Sequence, residues 1–122
     1  MVAPPAPTPI RPRDPRTPVR GEVHLVRLNL VRGSEIRKTR PCLVVSPDEL
    51  NAHLRTVIVA PMTTGGQLYP WRVSCRFQNR AGVVALDQLR TVDSERLVKR
   101  LGRLGALTVN LVLAKLQEMF AG

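Results

Sequence analysis

Two apolar runs in the sequence determine the fold: residues 40–46 (Arg-Pro-Cys-Leu-Val-Val-Ser) and residues 56–62 (Thr-Val-Ile-Val-Ala-Pro-Met). Both runs are short, apolar and rich in β-branched residues, which is typical of strands buried in a sheet. Between them, Ser46-Pro47-Asp48-Glu49 combines a capping residue, a proline suited to a first turn, and two acids. This order predicts a strand, a short helix that ends near Leu54, and a second strand.

Further strands are predicted on both sides of this centre. From Gly21 an apolar run changes phase near Val26, which indicates a bulge or a strand buried on both faces. Residues 71–77 alternate apolar and polar side chains, as a half-buried strand does. The remaining predicted strands cover 82–86, 89–92 and, as a strand or an irregular link, 97–104.

A C-terminal helix is predicted from the apolar spacing of Val109, Val112, Leu113, Leu116 and Phe120, with Thr108 as its cap. The chain therefore has five to seven short strands, a short helix after the second strand, and a longer helix at the end. This pattern predicts a mostly β, α+β or barrel-like fold.

The composition indicates one basic domain. The 122 residues suffice for a single domain, and the formal net charge is +10, nearly all of it from sixteen arginines. Guanidinium groups match phosphate oxygens, so nucleic acid is the first partner to expect. The chain has no apolar run near the ~20 residues of a membrane span and no readable secretion signal, so we expect a cytoplasmic protein.

Residues 1–20 differ from the rest of the chain, since they hold seven of the eleven prolines. Proline removes backbone donors, so we predict a disordered proline- and arginine-rich arm over 1–20, ahead of a folded domain over 21–122. The arm could contact a polyanion, or it could reflect a start site assigned upstream of the true one.

Common catalytic and metal-binding motifs are absent, and no metal or cofactor is predicted. His24 and His53 are interpreted as ordinary histidines, and Cys42 and Cys75 as buried free thiols. The paired acids Asp48/Glu49 and Asp93/Glu95 lie where helix or turn caps would explain them.

The charged loop 31–40 is the first of two remaining candidates for chemistry. Glu35 lies there among four cations: Arg32, Arg37, Lys38 and Arg40. From composition alone, the loop is best interpreted as a solvated segment whose acid pairs with its neighbours.

The second candidate is the exit from the strand over 56–62. Arg40 directly precedes Pro41 and a buried strand, and Thr63-Thr64 leaves the other strand in the same way. If the two strands pair, a rigid arginine and two hydroxyls could share one pocket suited to a phosphate that gains negative charge.

An ordered series of short motifs runs over about residues 20–120: 20–23 (Arg-Gly-Glu-Val), 32–35 (Arg-Gly-Ser-Glu), 38–41 (Lys-Thr-Arg-Pro) through 45–47 (Val-Ser-Pro), 59–64 (Val-Ala-Pro-Met-Thr-Thr), 69–70 (Tyr-Pro) and 82–93. This series resembles the MazF/PemK family of toxin endoribonucleases. The resemblance implies an SH3-like β-barrel that works as a homodimer. It also implies a type II toxin–antitoxin system, in which the toxin cuts single-stranded RNA at specific sequences without a metal, and a cognate acidic antitoxin silences it.

The resemblance also implies roles for single residues. Arg40 corresponds to the main catalytic arginine, Thr63 to its hydroxyl partner, and Glu35 to an acid whose role varies in the family. His24 stands where many members have an aromatic residue. Contacts to RNA are predicted for Arg32, Ser34, Arg37, Lys38, Thr64, Asp87, Gln88 and Arg96.

The implied reaction is attack of a ribose 2′-oxygen on the adjacent phosphorus, which gives 2′,3′-cyclic phosphate and 5′-hydroxyl ends. Two alternatives remain open. A toxin of the same fold could bind DNA gyrase without cutting RNA, although residues 119–122 lack the Trp-Gly-Ile ending of those relatives. The chain could also be a basic RNA-binding module with no activity.

Overall fold

The computed structural model describes residues 16–28, 39–64 and 70–122. All the predicted strands and both helices are present, and the segment after residue 96 is a strand. Two short 3-10 turns, Leu86–Gln88 and Ser94–Arg96, precede the last two strands. The elements are β1 (Glu22–Arg27), β2 (Thr39–Val44), α1 (Asp48–His53), β3 (Thr56–Thr63), β4 (Arg72–Phe77), β5 (Arg80–Ala85), β6 (Arg90–Asp93), β7 (Leu97–Arg103) and α2 (Ala106–Met119).

The strands form one curled antiparallel sheet in the order β4-β5-β3-β2-β1-β7, and β6 pairs with β3. β3 is therefore the central strand, with β5 at its C-terminal end and β6 at its N-terminal end. The predicted phase change in β1 is confirmed, because the pairing of β1 with β7 shifts register twice, between Val23 and His24 and between Leu25 and Val26.

Alternation along the strands divides the core into two faces. One face is covered by α2, which packs on it through Val112, and we call the other the inner face. The inner face consists of Val26, Leu28, Cys42, Val44, Val57, Val59 and Val92. The opposite face includes Val23, Leu43, Ala60, Met62, Val84 and Leu86.

Two predicted helix caps are wrong. α1 has Pro47 at its N-cap, and Ser46 instead donates its hydroxyl hydrogen to Asn51 inside the core. α2 begins two residues before Thr108: Leu104 follows β7 and donates its backbone N–H to the Gly21 carbonyl, and Gly105 is the N-cap. Phe120 was predicted on the packed face of α2, but it lies at the helix end and is 72% exposed.

Pro18 and Arg20, at the end of the predicted arm, are hydrogen-bonded to the domain. The Arg20 backbone N–H donates to Asp48 over 2.7 Å, and its Nε donates to the Val45 carbonyl. The Asn51 amide donates to the carbonyls of Pro18 and Ser46 at 3.2 and 3.1 Å. Asn51 therefore joins the entering segment to α1, whereas residues 1–15 of the predicted arm lie outside the described residues.

Glu22 organises a buried polar cluster at the start of β1. Its carboxylate accepts hydrogen bonds from His24 Nε2 at 3.0 Å, from the Val19 N–H at 2.9 Å and from Arg100 Nε at 2.8 Å. Burial by itself would raise the pKa of Glu22, but these hydrogen bonds together lower it below its ordinary value. The cluster gives His24 a structural partner, as the sequence interpretation expected.

Asn51→Ala should lower the free energy of unfolding by about 1–3 kcal/mol, because it leaves the Pro18 and Ser46 carbonyls without their donor. Urea denaturation measures this loss. Asn110→Ala on the exposed side of α2 is the matched control and should change little. Equal effects of the two substitutions would contradict the structural role of Asn51.

The stabilising effect of Glu22 should depend on pH in one direction. Because its pKa is lower in the folded protein than its ordinary value of 4.5, the stabilisation is complete above that value and is lost as the pH falls through the folded pKa. Glu22→Gln should therefore cost on the order of 2 kcal/mol at pH 7 and clearly less at pH 3. Thermal unfolding of both proteins across this range checks the sign, and a constant difference would contradict it.

Candidate active site

The pairing of β2 with β3 brings Arg40 and Thr63 together. The register pairs Cys42 with Pro61, Leu43 with Ala60 and Val44 with Val59. Continued by two residues, the same antiparallel register puts Arg40 across from Thr63. Directly opposed residues in such a pair have Cβ atoms about 4.5–5.5 Å apart.

Both side chains also belong to the same face of the sheet. Arg40 is two residues from Cys42, and Thr63 is four residues from Val59, and both of these are inner-face residues. Since strand side chains alternate between faces, Arg40 and Thr63 lie at the edge of the inner face. Each is half-buried. The strand pairing that a shared pocket for Arg40 and Thr63 requires is therefore present.

Arg40 lies beside the buried thiol of Cys42. Burial raises the pKa of that thiol to about 12, although the positive charges of Arg90 and Arg40 act in the opposite direction. The thiol therefore stays neutral at physiological pH and leaves the charge of the two arginines intact. Neither arginine pairs with a carboxylate within the described ranges 16–28, 39–64 and 70–122.

The backbone at Thr63 is held by a close approach of β5. Thr63 pairs with Val83, and a Cβ built on the neighbouring Gly82 would lie 2.6 Å from the Thr63 carbonyl oxygen. Only glycine allows this approach, because the contact is with backbone that cannot rotate away. Gly82 thereby holds the backbone at the end of β3, from which the Thr63 side chain projects.

Asp87 and Gln88 lie in the 3-10 turn between β5 and β6, along the edge of β3. Arg72 holds both oxygens of the Asp87 carboxylate, at 3.0 and 3.1 Å. The hydrogen bond from Arg72 lowers the pKa of Asp87, so this carboxylate is a weak base. The side chain of Gln88 is exposed.

Not every predicted site residue lies beside Arg40 and Thr63 in the described structure. Thr64 follows Thr63 directly and is exposed, whereas Arg96 lies in the second 3-10 turn, at the start of β7. Leu97, its neighbour, pairs with Val26 on β1. The predicted residues Glu35, Arg32, Ser34, Arg37 and Lys38 lie outside the described residues.

Arg90, which no sequence motif singled out, starts β6 opposite Val59 and is half-buried. It is two residues from Val92, so it belongs to the inner face together with Arg40. The alternation of residues 90–92 predicts that Arg90 and Val92 share one face of a strand, but nothing in the sequence linked Arg90 to Arg40.

A cavity of about 650 Å³ lies elsewhere on the molecule, beside the Glu22 cluster. Its lining includes His24 and the cations Arg55, Lys99 and Arg100.

Within the described part of the chain, no group of three or more His, Cys, Asp or Glu side chains could hold a metal. None of the helices there is long and apolar enough to cross a membrane.

A family model described as a PemK-like, MazF-like toxin of type II toxin–antitoxin systems matches residues 19–120. The endoribonuclease PemK of Escherichia coli is 37% identical over 106 residues, which cover 82% of this chain and 80% of PemK.

Two solved structures are also similar. The MazF crystal structure from Deinococcus radiodurans has a TM-score of 0.72 and 27% identity, and the match covers 84% of this chain and 96% of that one. A mycobacterial endoribonuclease in complex with its cognate antitoxin has a TM-score of 0.71 and 25% identity, covering 83% and 92% of the two chains.

Gly82→Ala should displace β5 from Thr63, because the added methyl group has no room against the backbone oxygen. We expect a loss of about 1–3 kcal/mol in the free energy of unfolding, typical of overpacking. Gly105→Ala is the control, since a Cβ there meets nothing within 4 Å, and it should cost less than about 1 kcal/mol. Similar losses for the two variants would contradict the close approach.

Proposed function

The chain belongs to the PemK-like, MazF-like toxin family of type II toxin–antitoxin systems, and we propose that it is an endoribonuclease that cleaves single-stranded RNA at specific sequences. The opposition of Arg40 and Thr63 at the edge of the inner face carries the proposal. A fixed cation and a hydroxyl at one point of a basic protein suit a phosphodiester that gains negative charge during reaction.

In the proposed reaction, the ribose 2′-oxygen forms a bond to phosphorus while the bond from phosphorus to the 5′-oxygen breaks. The proton of the 2′-hydroxyl goes to a base, and the leaving 5′-oxygen takes up a proton. The products are a 2′,3′-cyclic phosphate and a 5′-hydroxyl. No metal takes part.

Arg40 stabilises the extra charge on the non-bridging oxygens through its forked N–H donors. A guanidinium does not give up its proton in proteins, so Arg40 is not the base. Thr63 orients the 2′-hydroxyl or donates to a non-bridging oxygen. Asp87 is a poor base because Arg72 holds both its oxygens. Glu35 is the proposed acceptor of the 2′ proton, on the basis of the family resemblance.

Binding of the RNA strand rests on the net charge of +10 and on polar groups near the end of β3. Gln88 and Thr64 are exposed there and are suited to reading base edges. The other proposed RNA contacts are Arg32, Ser34, Arg37, Lys38, Asp87 and Arg96.

Two protein partners belong to the proposal. One is an acidic antitoxin, supported by the complex known for the similar mycobacterial endoribonuclease. The other is a second copy of the chain in a homodimer, which could cover exposed apolar side chains such as Leu54, Val98, Leu107 and Leu111. We place this toxin in the cytoplasm, where its RNA substrates are.

Arg40→Ala should slow cleavage by about a hundredfold or more, because it removes the donor that stabilises the charged phosphorus centre. Single-turnover cleavage of end-labelled RNA in the presence of EDTA measures the rate, and mapping of the ends identifies the cyclic phosphate. Arg103→Ala removes the same charge at the far end of β7 and is the control.

A rate for Arg40→Ala within a few-fold of wild type would contradict the assignment of Arg40. Intact RNA together with inhibited DNA supercoiling would favour the gyrase-binding alternative. Binding of RNA without any cleavage by the wild-type protein would favour a module without activity.

A further inference from the structure

Arg90 is a second arginine on the face of the sheet that carries Arg40. It is the first residue of β6, it pairs with Val59 on β3, and it shares its side of the strand with Val92. Arg40 comes from the opposite neighbour of β3, at the start of β2. The two arginines therefore approach the inner face from the two sides of the central strand.

The registers set the separation of the two arginines. Arg40 is level with Thr63 and Arg90 with Val59, four residues or about 13 Å apart along β3. Cys42, level with Pro61, lies midway between these two levels. The positive charges of both arginines act on the buried Cys42 thiol.

Neither arginine has a compensating acid among the residues that the structure describes. The nearest acid in sequence to Arg90 is Asp87, and Arg72 already occupies both oxygens of that carboxylate. A half-buried cation without a partner has lost part of its hydration and gains most from an anionic ligand. Two such cations on one face favour a ligand with successive negative charges.

We propose that Arg90 binds a non-bridging oxygen of a phosphodiester that flanks the scissile one, and so positions the RNA strand against Arg40 and Thr63. The proposal rests on the proposed ribonuclease function. Because Arg90 is level with Val59 and Arg40 with Thr63, each arginine takes a different phosphate of the strand. Arg90 is then a positioning residue, which acts on binding of the strand more than on the reacting phosphorus.

The test starts from a cleavage site mapped with the wild-type protein. Short RNA oligonucleotides that contain this site are made with one neutral methylphosphonate at each flanking position in turn. KM and kcat are measured for the wild type, for Arg90→Ala, and for the control Arg103→Ala, which removes one charge at the far end of β7.

Arg90→Ala should raise KM about tenfold or more and leave kcat within about threefold of wild type. The salt dependence of binding should weaken by about one charge in its logarithmic slope. One flanking methylphosphonate should weaken cleavage by the wild type and by Arg103→Ala, but should have no further effect on Arg90→Ala. That loss of coupling identifies the phosphate that Arg90 binds.

Arg90→Lys keeps the charge without the forked donors, and it guards against a variant that fails to fold. It should fold as the wild type does and show a KM between those of wild type and Arg90→Ala. An unchanged KM, or flanking methylphosphonates that act equally on wild type and Arg90→Ala, would overturn the proposal for Arg90. Failure of the wild type to cut any RNA would instead overturn the proposed function.

Discussion

The antiparallel pairing of β2 with β3 is the constraint on which the candidate site depends. It fixes two things at once: the level of Arg40 against Thr63, and the face on which both side chains emerge. A slip of one residue would turn every side chain of β2 to the other face and separate the pair. The apolar residues that follow Arg40 prevent such a slip, because Cys42 and Val44 are buried on one face and Leu43 on the other.

Charge is distributed around this pairing so that cations remain without partners where phosphate would bind. The described acids near the site and at the start of β1 are already engaged, Asp87 by Arg72 and Glu22 by His24 and Arg100. The positive potential of Arg40 and Arg90 is therefore not cancelled from within the described chain. This arrangement favours a polyanion over a neutral ligand.

The strands could be predicted from the sequence, because each one lies where the sequence has an apolar run or an alternation of apolar and polar residues. It was weaker for caps. Ser46 and Thr108 have the chemistry of caps, but Ser46 bonds to the Asn51 side chain, and α2 begins directly after the backbone bond from Leu104 to Gly21. Arg90 was missed for a related reason: the pairing of β6 with β3, which puts it on the face of Arg40, is a non-local contact that local periodicity does not encode.

Cys42 has a consequence for how the protein responds to oxidants. Thiolates, not neutral thiols, react with peroxide and with disulfides, and this sulfur is fully enclosed with a pKa of about 12. Cys42 lies two residues from the arginine proposed for catalysis, on the same face of the sheet, but it does not make the site sensitive to oxidants. Sulfenylation or glutathionylation during oxidative stress should leave Cys42 untouched in the folded protein.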